Sequence, residues 1–559
     1  MPPTTRRLGA VPAAAGAMFG RAWRLPPRRN PVLLTRGLQV PMRDGVSLLA
    51  DHYAPDTDEA RPALLIRSPY GRGFEYGLLM AQLYAERGYH VLLQSTRGTF
   101  GSGGGFVPVV HEAADGQDTV AWLRGQDWFD GRLGTVGPSY LGFAAWALAI
   151  DPPPELKAMV VHVGPHDMAR LAYGRGPFQL MFLLQWSEMV ANQEHIGMVR
   201  GTARMMRAER RLAPVLNALP MESAGDNLGG SGAPWFREWV SGPDPEGPHW
   251  EPYRATAALH RSTVPTLLAG GFQDPFLDQT LEQYQVLRAR RLEVGLTVGP
   301  WTHLGIDMSV LVPESLAWLD AHLAEEGPPP RRRPVRVWVG GRRQWQDLDA
   351  WPPPDGVTGQ VWHLRCRGRL SPAVPAGAEP PATSFRYDPA DPTPSVGGRV
   401  LAVGRAGQQD NTRLEARADV LTFTSVPLGQ PVEILGAPVA EVLVSSDNPH
   451  IDLFARLCDV DRRGRSRNIT DRIIRLPAGG TGPAGAPRLI RITLDDTAHR
   501  FLRGHRIRLQ VSAGAHPRYA RNLGTGDPDG TGTTMRPATI TIHHSPEHPS
   551  ALTLPAARD

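Results

Sequence analysis

Between about residue 37 and residue 327 the chain alternates between two kinds of hydrophobic pattern. Apolar runs of strand length, "PALLIRS" (62–68), "YHVLLQS" (89–95), "RLGTVG" (132–137) and "LKAMVVHVG" (156–164), are separated by helix-like stretches. These include "FEYGLLMAQLYAERG" (74–88), "EAADGQDTVAWLRGQ" (112–126) and "YLGFAAWALAI" (140–150). Strands apolar on both faces and spaced by helices predict a mostly parallel sheet covered on both sides. Ahead of them, "LQVPMRDGVSLLADHYAP" alternates and turns at Asp44-Gly45, a hairpin signal. The rhythm breaks at residue 165. From there to 260 the sequence is helical, rich in Met and Arg, with no convincing strand, which predicts a helical insertion of the kind that roofs active sites. It resumes with "VPTLLAGGFQD" (264–274), a helix over 277–291, the strand "LEVGLTVGP" (292–300) and a helix over 313–326.

"GPPPRRRP" (327–334) reads as a linker. Beyond it Val335, Val337 and Val339 alternate with Arg336 and Trp338, and Ile507, Leu509 and Val511 alternate with Arg508 and Gln510. Many short strands with Gly/Pro turns and no long helix predict an all-β sandwich. The expected division is a disordered arm over 1–36, an α/β domain over 37–164 and 261–327, a helical cap over 165–260, a linker over 328–334 and a sandwich over 335–550. Arg6-Arg7 raises the idea of an export signal, but the stretch after it is short, weakly apolar and broken by a proline. A cytoplasmic location is expected.

Composition narrows the classes. With 41% hydrophobic and 21% charged residues the 559-residue chain is globular, long enough for two or three domains. The net charge of +5 is thinly spread and interleaved with acids, so nucleic acid is not an expected partner. No long apolar run predicts a membrane span. Cys366 and Cys458 cannot form a disulfide framework and read as buried thiols. No Cys/His/Asp/Glu group has metal-ligand spacing, so neither metal nor cofactor is expected.

The chemistry concentrates in "GTVGPSYLG" (134–142). The spacing Gly137-x-Ser139-x-x-Gly142 is weak as a bare pattern, but here Ser139 follows an apolar strand and precedes an Ala-rich helix. That is the strand–turn–helix setting of a nucleophile elbow, which exposes the serine oxygen and aims the following N–H groups at an oxyanion. The competing reading is a helix-capping serine. A serine nucleophile needs a base and an orienting acid, which on such a sheet follow it in the order acid, base. Asp274, after the apolar run 264–272, and His303, after 292–300, fit that order. Asp278 is a rival for the acid, while His162 and His166 come in the wrong order.

Five blocks share their order with a known family: "RSPYGRG" (67–73), "STRGTFGSGGGF" (95–106), "DGRLGTVGPSYLG" (130–142), "GGFQDPF" (270–276) and "GPWTHLG" (299–305). Together with "LFARLCDVDRRGRSRNITD" (453–471) and "HRFLRGHRIRLQVSAGAHPRYARN" (499–522), they make the chain similar to the cocaine-esterase-like α/β-hydrolases of the X-Pro dipeptidyl-peptidase superfamily. The resemblance covers nearly everything from residue 37. It implies an α/β-hydrolase domain with a helical cap and a C-terminal jelly-roll, and the roles of nucleophile for Ser139, base for His303 and orienting acid for Asp274. It adds what spacing does not: Tyr70 as hydroxyl donor to the oxyanion hole, with the Tyr140 N–H as the second donor. One departure stands out. The family usually carries an acid where this chain has Ser95, so Arg97 is expected to be held differently.

The expected activity is that of a serine hydrolase cleaving a small ester or amide through an acyl-enzyme. Phe178, Phe182 and Trp186, four apart, are expected to line the pocket, with core packing as their competing role. The alternatives are an X-Pro dipeptidyl-peptidase or an α-amino-acid ester hydrolase, which need carboxylates such as Glu188 or Asp167 to hold an ammonium group. A non-enzymatic alternative is a sandwich-based binding protein with a vestigial hydrolase domain. A homodimer is the general expectation for assembly.

Overall fold

The computed structural model describes the chain except residues 1–3, 74–75, 195, 197–200, 202–203, 205, 231, 327–330, 376–379, 477–485 and 559. An eleven-stranded sheet runs in the order β1-β2-β3-β5-β4-β6-β7-β8-β9-β10-β11. Its strands are β1 (Thr5–Arg7), β2 (Val32–Pro41), β3 (Ser47–Pro55), β4 (Arg61–Ser68), β5 (His90–Ser95) and β6 (Phe129–Pro138). Then follow β7 (Leu156–His162), β8 (Thr266–Gln273), β9 (Val294–Thr302), β10 (Val335–Val339) and β11 (Gln344–Leu348). From β5 to β10 each neighbouring pair is parallel, while the pairs at the two ends are antiparallel. The central strands are buried along almost their whole length, as expected for a sheet with helices on both faces. Those helices include Glu112–Leu123, Tyr140–Leu148, Leu277–Ala289 and Met308–His322.

Between β7 and β8 the chain leaves the sheet. The cap holds the helices Met168–Tyr173, Leu180–Asn192, Ala208–Asn217, Pro234–Val240 and Ala257–Arg261. Trp186, Trp235, Trp239 and Tyr253 pack ring on ring at its centre. After β11, a thirteen-stranded sheet, β12 (Val357–Arg365) to β24 (Ala551–Ala557), forms the β-sandwich around Leu364, Phe423, Val442, Leu453, Leu509 and Ile540. Cys366 and Cys458 are buried and free, and burial pushes the Cys458 thiol up to about 12. Among the described residues no helix is long and apolar enough to cross a membrane.

Two expectations are corrected. Residues 1–36 were expected to be disordered, but Thr5–Arg7 pairs with β2 and Ala10–Ala22 is a helix. Its alanines favour helix, and at Gly16 it lies so close to the domain that a Cβ would collide with the Glu86 carboxylate. Gln82 seals the contact by donating to the Pro12 carbonyl at 2.8 Å. The second concerns the start of the sandwich. Residues 327–330 of the expected linker lie outside the described residues, but Val335–Val339 continues the α/β sheet, with Val335 beside Leu296 and Val337 beside Val298. The sandwich therefore begins at β12. An alternating strand reads the same whichever sheet it joins, and here buried valines sit between β9 and the edge strand β11.

Candidate active site

β6 delivers the chain to Ser139, the residue between the last strand position and helix Tyr140–Leu148. Ser139 has φ 58° and ψ −122°, a strained conformation for a residue with a side chain. The bend is anchored by the Ser139 N–H, which donates to the His162 carbonyl at 2.9 Å. The flanking glycines serve packing instead of left-handed backbone. A Cβ at Gly137 would run into Leu141, and one at Gly142 would sit 2.9 Å from the Gly164 Cα. Helix and strand thus approach closely while the strain falls on the serine itself. The first N–H groups of a helix have no carbonyl one turn earlier to bond, so the Tyr140 amide is available to an anion.

The loops after β8 and β9 bring the other two residues in. His303 Nε2 lies 3.0 Å from Ser139 Oγ, and its Nδ1 lies 2.6 Å from Asp274 Oδ1. Asp274 is fully buried; its Oδ2 accepts from the Phe276 N–H at 2.9 Å. Burial pushes the Asp274 carboxyl up from the usual range, and His303 and the Phe276 amide pull it back. Phe182 and Phe276 set their rings edge-on against the imidazole. The acid loop is also gripped from the sandwich: Arg399 donates to the Phe272 carbonyl at 3.2 Å and Gln273 to the Ile469 carbonyl at 2.8 Å.

The rivals fall elsewhere. Asp278 is partly exposed and paired with Arg175 at 3.3 Å. His162 is bonded to Ser315 and His166 to Gln283 within the core. Arg97 is held by Asp115 at 2.6 Å and Asp44 at 2.7 Å, in place of the missing acid at position 95.

Tyr70 packs its ring edge to face with Tyr140, the residue next to Ser139. The Tyr70 hydroxyl oxygen accepts from Trp186 Nε1–H at 3.0 Å, and the Ser139 side chain eases its ionisation slightly. Burial raises the phenol to about 12, so it stays protonated and able to donate. Tyr140 turns its own hydroxyl away, donating to Glu112 Oε1 at 2.7 Å. A narrow pocket of about 20 Å³ opens beside Ser139, walled by Phe143, Met168, Leu171, Phe182, Trp186 and Phe276. Of the three aromatics expected there, Phe178 does not take part. It precedes helix Leu180–Asn192, is fully buried and packs against Tyr173 and Phe236. The helical spacing that groups the three does not extend back to it. Residues the expectation missed, Leu171 and Met168 among them, come from the preceding cap helix, which only the fold brings alongside.

The comparisons with known proteins agree with this architecture. Residues 44–305 match the X-Pro dipeptidyl-peptidase (S15 family) model, and residues 330–553 match that of the X-Pro dipeptidyl-peptidase C-terminal non-catalytic domain. Cocaine esterase from Rhodococcus sp. (strain MB1 Bresler) is 34% identical over 567 residues, spanning 93% of this chain and 97% of that protein. Among solved structures, an α-amino acid ester hydrolase superposes with a TM-score of 0.79 at 22% identity, covering 94% of this chain and 97% of the other. An aminopeptidase from a marine sediment archaeon, Thaumarchaeota archaeon, gives 0.78 at 23% identity, covering 93% and 95%.

Proposed function

The chain belongs to the S15 family of X-Pro dipeptidyl-peptidases and cocaine-esterase-like serine hydrolases, and from that premise we propose that it hydrolyses esters of apolar carboxylic acids through an acyl-enzyme on Ser139. In this reading Ser139 Oγ attacks the carbonyl carbon while its proton passes to His303 Nε2. Asp274 accepts the Nδ1–H bond and stabilises the imidazolium that forms. The developing oxyanion takes hydrogen bonds from the Tyr70 hydroxyl and the Tyr140 N–H. His303 then protonates the departing alkoxide oxygen. Water, deprotonated by the same nitrogen, attacks the acyl-enzyme and releases the acid.

The observation that carries the ester reading is the wall of the cavity beside Ser139. Among the described residues it is apolar apart from Ser139 and Tyr140, and no carboxylate faces it. A peptidase acting on a free amino terminus, or an α-amino ester hydrolase, needs one to pair with the substrate's ammonium group. The two acids that could have served are already engaged. Glu188 is buried between Arg204 and Arg211, and Asp167 caps the helix at Arg170 and pairs with Arg254 at 3.3 Å. The binding-protein alternative leaves an assembled Ser–His–Asp array without a purpose. A cytoplasmic location accords with the two unpaired thiols.

The test is paired. A fluorophosphonate adduct mapped by mass spectrometry is expected on Ser139, and Ser139→Ala is expected to lose p-nitrophenyl ester hydrolysis by at least about a thousandfold. An unlabelled Ser139 with full activity in the variant would falsify the reading. Faster turnover of dipeptide p-nitroanilides than of p-nitrophenyl butyrate would replace the ester by the peptide substrate.

A further inference from the structure

The loop carrying Tyr70 is held by the cap at two points two helical turns apart. Trp186 Nε1–H donates to the Tyr70 hydroxyl oxygen at 3.0 Å, and Gln193 Nε2–H donates to the carbonyl of Pro69 at 2.7 Å. Trp186 lies inside helix Leu180–Asn192, and Gln193 is the residue that closes it. Trp186 is itself fixed by Trp235, Trp239 and a near-parallel stack on Tyr140. An indole N–H can only donate. The phenol oxygen therefore accepts from Trp186, and its own proton points away from the indole; the Tyr70 ring packs edge to face with Tyr140, the residue next to Ser139.

We propose that Trp186 and Gln193 are positioning residues of the oxyanion hole: the indole sets the direction of the Tyr70 O–H and the amide fixes the height of its loop, so that the hole is complete only while this cap helix is seated. The inference rests on the proposed role of Tyr70 as oxyanion donor. Its chemical content is that a phenol free to rotate would spend part of its time with its proton away from the developing charge. A donor fixed in advance avoids that reorganisation at the moment of reaction. The cap thereby contributes to the chemical step as well as to the acyl pocket.

A double-mutant cycle tests it with p-nitrophenyl butyrate, using kcat and KM for wild type, Trp186→Phe, Tyr70→Phe and the pair. Tyr70→Phe is expected to lower kcat about a hundredfold, as loss of one oxyanion donor does. Trp186→Phe, which keeps the ring and removes the N–H, is expected to lower kcat about tenfold with KM within about twofold. The pair should be no slower than Tyr70→Phe alone, because the indole acts through the phenol. Multiplicative losses in the pair overturn the proposal, and so does a Trp186→Phe effect confined to KM, which would make the indole a pocket wall. Should Trp186→Phe fail to fold, Gln193→Leu is read in the same cycle and must show the same dependence on Tyr70. An inert Tyr70→Phe removes the oxyanion role and this inference together. Ser139→Ala, assayed alongside, reports on the nucleophile independently of either.

Discussion

Two buried aspartates hold this molecule together in opposite ways. Asp274, with no exposed side-chain surface, forms one ion pair among the described residues, with His303, while Arg399 acts on it more weakly. Asp495, only 3% exposed, meets three arginines, Arg175 from the cap and Arg399 and Arg472 from the sandwich. Burial alone raises a carboxyl group, and at Asp274 it prevails. At Asp495 the arginines prevail and hold the carboxyl far below the usual range. Equal burial therefore tells little about a charge; the number and permanence of its partners decides. A histidine can give up its proton and an arginine cannot. Asp274 is thus suited to a charge that comes and goes, and Asp495 to one that never changes.

The widest gap is expected from removing each charge. Asp274→Asn should lower kcat about ten-thousandfold, by leaving His303 in the wrong tautomer, with the thermal melt nearly unchanged. A large fall in melting temperature with modest loss of kcat would make Asp274 structural. Asp495→Asn should do the reverse, costing about 3–5 kcal/mol in denaturant titrations by leaving buried guanidinium groups uncompensated. Folded protein should keep kcat within a few-fold.

Acid sharpens the contrast next. A carboxylate held low, like Asp495, lends stability that is complete above about pH 4 and is lost only as pH falls toward its folded value. Buried neutral histidines follow the same sign in a higher window. His52 and His166 lie at about 3, and His90, His162 and His516 at about 4, against an ordinary 6.5. The unfolded chain takes up those protons first, so the melting temperature should begin to fall near pH 6.5 and continue to fall toward pH 4. Asp274 carries the opposite sign, since protonation relieves its burial. A melting temperature flat down to pH 4 would show that the histidines are charged in the folded protein. The smallest effect is expected from Asp278→Ala, beside the acid loop. It should change stability by no more than about 1 kcal/mol and leave kcat alone.

Much of this was legible in the sequence because strand and helix patterns fix where loops emerge. Ser139, Asp274 and His303 each follow an apolar run, and a parallel sheet places all such loops on one edge. Tyr70 follows one too, after β4, yet nothing in its spacing distinguishes a donor from a packed aromatic; only the family blocks single it out. Phe178 misled because helical spacing was extended past the helix start at Leu180. The Asp495 cluster was invisible: its arginines lie at 175, 399 and 472, and no local pattern joins them. The N-terminal helix was hidden by glycine, which signals flexibility in isolation and close contact at Gly16.

The sheet's last two strands arrive from beyond the Pro/Arg segment, and this bears on any attempt to dissect the chain. A fragment cut at residue 330 would lose β10 and leave β9 with a bare flank of unpaired amide and carbonyl groups. Such an edge templates association with other copies, so the fragment should be recovered as aggregates and not as a smaller hydrolase.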